Sequence, residues 1–172
     1  FAQIMKIGRP AGMQSVIFNI SNVLIQSSIN SFGAVAVAGN TAAANVEGFV
    51  YISMNSLYQT TLSFTSQNLG AKQYRRVDGI LVRCMILVIL IGVVLGQGAY
   101  RLGDPLLHIY SQDPEVIAYG IQRFSVVSVT YFLCGMMDVG SGVVRGLGYS
   151  IMPMLVSMAV SYTHLTLPTI LR

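Results

Sequence analysis

From Pro10 to Val46 the chain carries no Asp, Glu, Lys or Arg, and three further uncharged runs follow: Gly48 to Ala71, Cys84 to Tyr100 and Gly146 to Leu171. Each approaches or exceeds the roughly 20 residues that a helix needs to cross a hydrocarbon core. Charged residues make up 9% of the chain and apolar ones 53%, against about a quarter charged in soluble domains. With a mean hydropathy of +0.65, so few charges cannot cover the surface of a soluble protein. The expected fold is therefore all-α, a polytopic transmembrane helix bundle with about four full spans and a truncated fifth.

Breakers and caps divide the chain. A first helix is expected over about 7–32, with Pro10 near its start, where a missing amide hydrogen is tolerated. Gly39 and Asn40 read as a turn, followed by a second helix over 43–69 that stops at Gly70. The basic segment Lys72 to Arg76 belongs in water or among headgroups. A third helix spans 78–100, and its Gly92 and Gly96 have the G-x-x-x-G spacing that permits close helix contact. Asp113, Pro114 and Glu115 form an N-cap, a proline at the first helical position and an acidic first turn, so the fourth helix runs over 114–144. The fifth begins near Tyr149 and continues over 149–159. His108 is expected to be exposed in the connection before the fourth helix.

Alternating spans put Lys6, Arg9, Lys72, Arg75, Arg76, Arg83 and Arg145 on one side, with Arg101 and Arg123 near the other. Because cytoplasmic loops are enriched in Lys and Arg, residues 1–9, 70–77 and 145–148 are expected in the cytoplasm. The net charge of +4 is thereby accounted for by topology, and nucleic acid is excluded as a partner. No signal peptide is recognisable, and the chain reads as a piece of a longer one. Cys84 and Cys134 form no C-x-x-C, so packing rather than a disulfide or a metal site is expected. The run from Val160 to Leu165 resembles one translated frame of a common transposon-end sequencing adapter, so residues 160–172 are expected to be non-native.

Polar residues fall in stripes. On the first helix Ser15, Asn19, Asn22, Gln26 and Asn30 recur at spacings that place them on one narrow face. Asn55, Ser56, Gln59, Ser63 and Ser66 do the same on the second helix, with Tyr51 and Tyr58 on a neighbouring face. Amides facing lipid would go unsatisfied, so the stripes must meet another helix or a hydrated cavity. Asn19, Asn22, Gln26, Asn30, Gln59, Ser63 and Tyr131 are the cavity-lining candidates, and Tyr58, Glu47 and Arg145 are weaker ones. On the fourth helix Tyr131, Cys134, Asp138, Ser141 and Arg145 share a face. A carboxylate at membrane depth is costly and is read by default as functional, which makes Asp138 the candidate cation-coupling residue. Arg145 lies about 10 Å along the same helix, too far to be assumed its partner. Glu47 reads as reaching the interface near the outer end of the second helix. No dinucleotide loop, phosphate-binding loop, H-E-x-x-H or Ser and His pair is present, so the chain is not read as an enzyme and needs no cofactor beyond the coupling ion, Na+ or H+.

Gly8-Arg9-Pro10 with Gln14-Ser15, the run Val23 to Gly33, TSQNLGAKQYRR (Thr65 to Arg76), Asp113 to Val116 and GSGVVRGLGYSIMPM (Gly140 to Met154) together resemble the multidrug and toxic compound extrusion (MATE) family. The resemblance extends to about Ala159. It implies the start of the second six-helix lobe of a twelve-helix transporter, helices seven to ten and part of eleven, in a bacterial inner membrane. It also implies an antiporter that exports amphipathic, often cationic organic compounds in exchange for Na+ or H+, with the first lobe of the same chain as partner. In the sodium-driven branch the helix-ten Asp aligns with Cys134, one turn before Asp138, and the helix-seven acid falls near Phe18 or Asn19, where this chain has no carboxylate. Two other functions compete. A lipid-linked substrate flippase of the wider superfamily would need a more cationic cavity, and a non-transporting scaffold or sensor would keep the polar stripes dry.

Overall fold

The computed structural model describes residues 2–159, and among them every regular element is helical. Helix α1 covers Ala2–Asn30, α2 Ala34–Gly70, α3 Tyr74–Arg101, α4 Gly103–His108 and α5 Pro114–Gly146. A further helical stretch occupies 151–159. The residues from 160 onward, including the segment read as non-native, lie outside the described residues.

The turns follow from local chemistry. Asp113 caps α5 by accepting a hydrogen bond from the Glu115 amide at 2.9 Å, with Pro114 at the first helical position, as the sequence predicts. Gly148, at φ 93°, closes α5 through the bonds Gly148 N to Arg145 O at 2.9 Å and Tyr149 N to Val144 O at 3.1 Å. These are the paired bonds of a Schellman motif. The end of α2 uses the same pair, Lys72 N to Leu69 O at 3.0 Å and Gln73 N to Asn68 O at 2.9 Å. Its left-handed residue is Lys72, at φ 57°, not Gly70.

Several predicted boundaries are corrected. The second helix begins at Ala34, not at 43, and runs straight through Gly39 and Asn40. Both residues serve packing rather than a turn. A Cβ on Gly39 would stand 2.6 Å from the carbonyl oxygen of Val116, and Asn40 accepts a hydrogen bond from Arg123. Gly33, at φ 94°, makes the turn instead. The third helix starts at Tyr74, not at 78, because the Lys72 and Gln73 turn completes the reversal in fewer residues. Between α3 and α5 the chain forms α4, which the sequence reading left as a connection. His108 lies at its end, exposed as predicted, within 3.6 Å of Asp104.

Helix α5 is the hub. Both α2 and α3 pack principally on it, and small residues set the distances. A Cβ at Gly92 would lie 2.9 Å from Cα of Phe132, and one at Gly96 would lie 2.8 Å from the Ser128 carbonyl. From the other side a Cβ at Gly142 would lie 3.2 Å from the Tyr58 carbonyl oxygen, and one at Gly146 would lie 3.1 Å from that of Leu62. Around these contacts sit Ala43, Val46, Val50 and Met54 of α2, Cys84 and Val88 of α3, and Phe124 and Val139 of α5. Among α1 to α5, the backbone of α1 approaches only α2. Helix α3, with a mean window hydropathy of 2.7, is long and apolar enough to cross a membrane, and α5 qualifies as a span bent by 48° between Ser128 and Thr130. Helices α1 and α2 have the length, with 29 and 37 residues, but their polar stripes lower the hydropathy.

A charged contact joins α2 to α5. Arg123 donates through Nε to Glu47 Oε1 at 2.9 Å and through a terminal nitrogen to Oε2 at 2.5 Å, and its other terminal nitrogen donates to Asn40. The Glu47 side chain is only 6% exposed and that of Arg123 30%. Glu47 therefore does not reach the interface as the sequence reading expected; it turns inward to a two-pronged partner.

Two outcomes follow for a full-length transporter carrying this segment. Gly96→Leu should destabilise it by roughly 1–3 kcal/mol through overpacking against Ser128, whereas Gly98→Leu, whose Cβ meets nothing within 4 Å, should be near neutral; thermal melting in detergent compares the two. Removing one member of a buried ion pair costs roughly 3–5 kcal/mol, so Glu47→Met alone should lower the melting midpoint markedly. Glu47→Met combined with Arg123→Met should recover most of that loss.

Candidate functional site

The α1 stripe is uncovered. Asn19, Asn22, Gln26 and Asn30 are all exposed, and the helix satisfies part of their demand internally. Asn19 donates to the Ser15 carbonyl at 2.9 Å and Gln26 to Asn30 Oδ1 at 3.1 Å. On α2, Gln59 and Ser63 are likewise exposed, with Ser63 accepting from Gln67 at 3.2 Å, while Asn55 is half-buried. Neither stripe is used to pack the described helices together. Both present amides and hydroxyls outward from a bundle whose other outward residues are largely apolar, such as Val23, Phe49, Ile52 and Val94.

Tyr131 and Asp138 are half-buried on α5. Tyr131 lies close enough to Glu47 and Arg123 to feel both charges, and Asp138 feels Arg145 in the same way. No ion pair or hydrogen bond reaches the Asp138 carboxylate from the described residues. Arg145 is committed elsewhere. It donates to the Tyr58 hydroxyl at 2.6 Å, lies 5.9 Å from the centroid of that ring and donates to Oε1 of Gln14. Gln14 in turn donates to Ser157 Oγ at 2.6 Å. One side chain thus ties α5 to α1 and α2, and Gln14 extends the link to the helical stretch 151–159. The Arg145 Nε is buried and has no hydrogen-bond partner among the described residues.

Among the predicted residues, then, Tyr58 and Arg145 are brought together, and Glu47 comes near Tyr131. The α1 stripe stays apart from Asp138 in hydrogen bonding. Arg123, Asn40 and Gln14 complete the two polar clusters, and the sequence reading gave none of them that role. A signal for Arg123 existed: Glu47 stands thirteen residues into α2 and Arg123 nine into α5, about 20 Å and about 14 Å along the helices. Opposite charges at similar depth on two helices of the same direction are pairing candidates. Among the described residues no group of three or more His, Cys, Asp or Glu could hold a metal ion, and Cys84 and Cys134 are free thiols.

Several proteins similar to this chain carry multidrug-resistance or transporter names. The probable multidrug resistance protein NorM of Thermotoga maritima is 24% identical over 163 residues, which cover 94% of this chain and 35% of that protein. The FAD transporter of Shewanella oneidensis is 24% identical over 119 residues, 69% of this chain and 26% of that protein. A MOP superfamily transporter from Pyrococcus furiosus has the same fold, with a TM-score of 0.90 at 20% sequence identity over 95% of this chain and 36% of that one. The chain therefore spans about a third of the length of these proteins. The family model named MatE matches residues 10–170, past Ala159 and into the tail read as non-native, so the match lends that reading no support. With that model covering nearly all of the sequence, the chain belongs to the MatE family, whose members are integral membrane proteins.

Proposed function

We propose that the protein containing this chain is a secondary antiporter that exports amphipathic, often cationic organic compounds while Na+ or H+ flows inward. The observation that carries the reading is the uncovered amide stripe of α1, Asn19, Asn22, Gln26 and Asn30. In a membrane protein such a face requires water or a polar surface against it. A hydrated cavity closed by the remainder of the transporter meets that need and offers hydrogen bonds to many cargoes without demanding one. Alternating access then consists of two lobes exchanging the side on which the cavity opens, with ion and cargo biasing the equilibrium by their differential affinity for the two states.

Asp138 is the residue assigned to coupling. It is half-buried and holds no ion pair among the described residues, so an ion or a proton can neutralise it. The flippase alternative asks for free cationic groups in the cavity. Arg145 and Arg123 are both engaged, by Tyr58 and Gln14 in one case and Glu47 and Asn40 in the other, which favours a neutral or cationic cargo.

In cells expressing the full-length transporter, Asp138→Asn should reduce cationic dye efflux at least tenfold and abolish its dependence on whichever imposed gradient, sodium or proton, drives the parent. Unchanged efflux with unchanged ion dependence removes Asp138 from coupling. Export of anionic dinucleotides in preference to cationic dyes overturns the cargo class. Hydration is checked separately in a background with Cys84 and Cys134 replaced: Asn22→Cys should react with a water-soluble thiol reagent much faster than Ser21→Cys, whose parent side chain is buried. Equal protection of the two positions would favour the dry scaffold.

A further inference from the structure

Where α2 ends and α3 begins, a cavity of about 440 Å³ opens between the two helices, lined by Phe64, Asn68, Arg75, Arg76, Gly79, Ile80 and Arg83. Three arginines therefore border one pocket. Arg75, Gly79 and Arg83 follow at i, i+4 and i+8, one face of α3, and the Lys72 and Gln73 turn fixes that face opposite Phe64 and Asn68. None of the three arginines takes part in an ion pair or side-chain hydrogen bond among the described residues. Asp78, the nearest acid in sequence, is exposed and lies outside the lining. Gly79 keeps the floor open, since a Cβ there would meet nothing within 4 Å.

The face continues into apolar surface. Ile86, Leu87 and Leu90 follow Arg83 at i+3, i+4 and i+7, and they are 59%, 47% and 56% exposed on a helix long and apolar enough to cross a membrane. Phe64 stands across from the arginines and is 51% exposed. A cationic pocket at the end of an uncovered apolar ridge has the two-part character of an anionic lipid: a phosphate for the guanidinium forks and acyl chains for the ridge.

We propose that this pocket binds the phosphate of an anionic phospholipid, with the acyl chains lying along Phe64, Ile86 and Leu90. Basic pockets between helices on the cytoplasmic side recognise anionic headgroups in this way, and the excess of Lys and Arg at this end supports that side. The site is separate from the amide stripe of α1. It rests on the placement of α3 in the membrane and not on the cargo or coupling ion, so failure of the antiporter reading would leave it standing.

The test is native mass spectrometry of a full-length transporter carrying this segment, titrated with dioleoylphosphatidylglycerol or dioleoylphosphatidylcholine. Phosphatidylglycerol should bind preferentially. The variant with Arg75→Gln and Arg83→Gln should lose about tenfold in affinity for it, and Gly79→Leu, which fills the pocket and keeps every charge, should lose a similar amount. Arg101→Gln, at the opposite end of α3, should leave binding unchanged. Should the double variant misfold, Gly79→Leu alone decides. Equal binding of the two lipids, or binding undiminished in Gly79→Leu, overturns the proposal. Displacement of phosphatidylglycerol by millimolar inorganic phosphate would mark the pocket as a free phosphate site and overturn the lipid assignment.

Discussion

Close backbone approach to α5 is the constraint on which the rest of the bundle depends. Helices in lipid gain little by hiding apolar surface from one another, so association relies on packing and on polar contacts. Here glycines on α2, α3 and α5 bring backbones to distances that leave no room for a Cβ at Gly39, Gly92 or Gly96. The resulting α2, α5 and α3 sandwich contains nearly all of the buried apolar cluster. Helix α1 lies outside it, and its polar face is free for other work for that reason.

The two polar clusters act on this frame at different heights. Near the start of α5, Arg123 locks Glu47 and Asn40 of α2. At its end, Arg145 engages Tyr58 of α2 and Gln14 of α1. The first reinforces a contact the glycines already make. The second fastens a helix that the glycines do not hold, since among α1 to α5 the backbone of α1 approaches only α2. A buried ion pair is weak support for stability, because desolvation offsets much of the attraction. Its better-attested effect is register: the two-pronged fork of Arg123 fits Glu47 at one offset of α2 against α5.

Much of this was legible in the residues, and the exceptions share a cause. The cap at Asp113 is a local pattern whose chemistry is complete within a few residues, and the spacing of Gly92 and Gly96 marks a contact face without naming its partner. Gly39 and Asn40 looked equally local, yet the partners that keep them helical, Val116 and Arg123, lie more than seventy residues away. A glycine beside an asparagine has the same composition in a turn as in a helix crossing. The placement of Glu47 failed for the same reason. Its partner lay on another helix, and the period of its own helix says which face it occupies but not what stands opposite. The polar stripes were readable as stripes, while the manner in which α1 satisfies them, with Asn19 on its own backbone and Gln26 on Asn30, depends on rotamers.

The contrast between the two acids within these spans bears most directly on transport. Glu47 is buried and held by a two-pronged cation, so releasing it would leave Arg123 charged and without its carboxylate, a costly state. Asp138 sits two turns before an arginine whose two terminal nitrogens donate to Tyr58 and Gln14. A carboxylate fixed to Arg145 could not exchange its neutralising partner between one face of the membrane and the other. With Arg145 donating to Tyr58 and Gln14, the Asp138 carboxylate has no ion pair or hydrogen bond among the described residues, which is what the proposed coupling role requires of it.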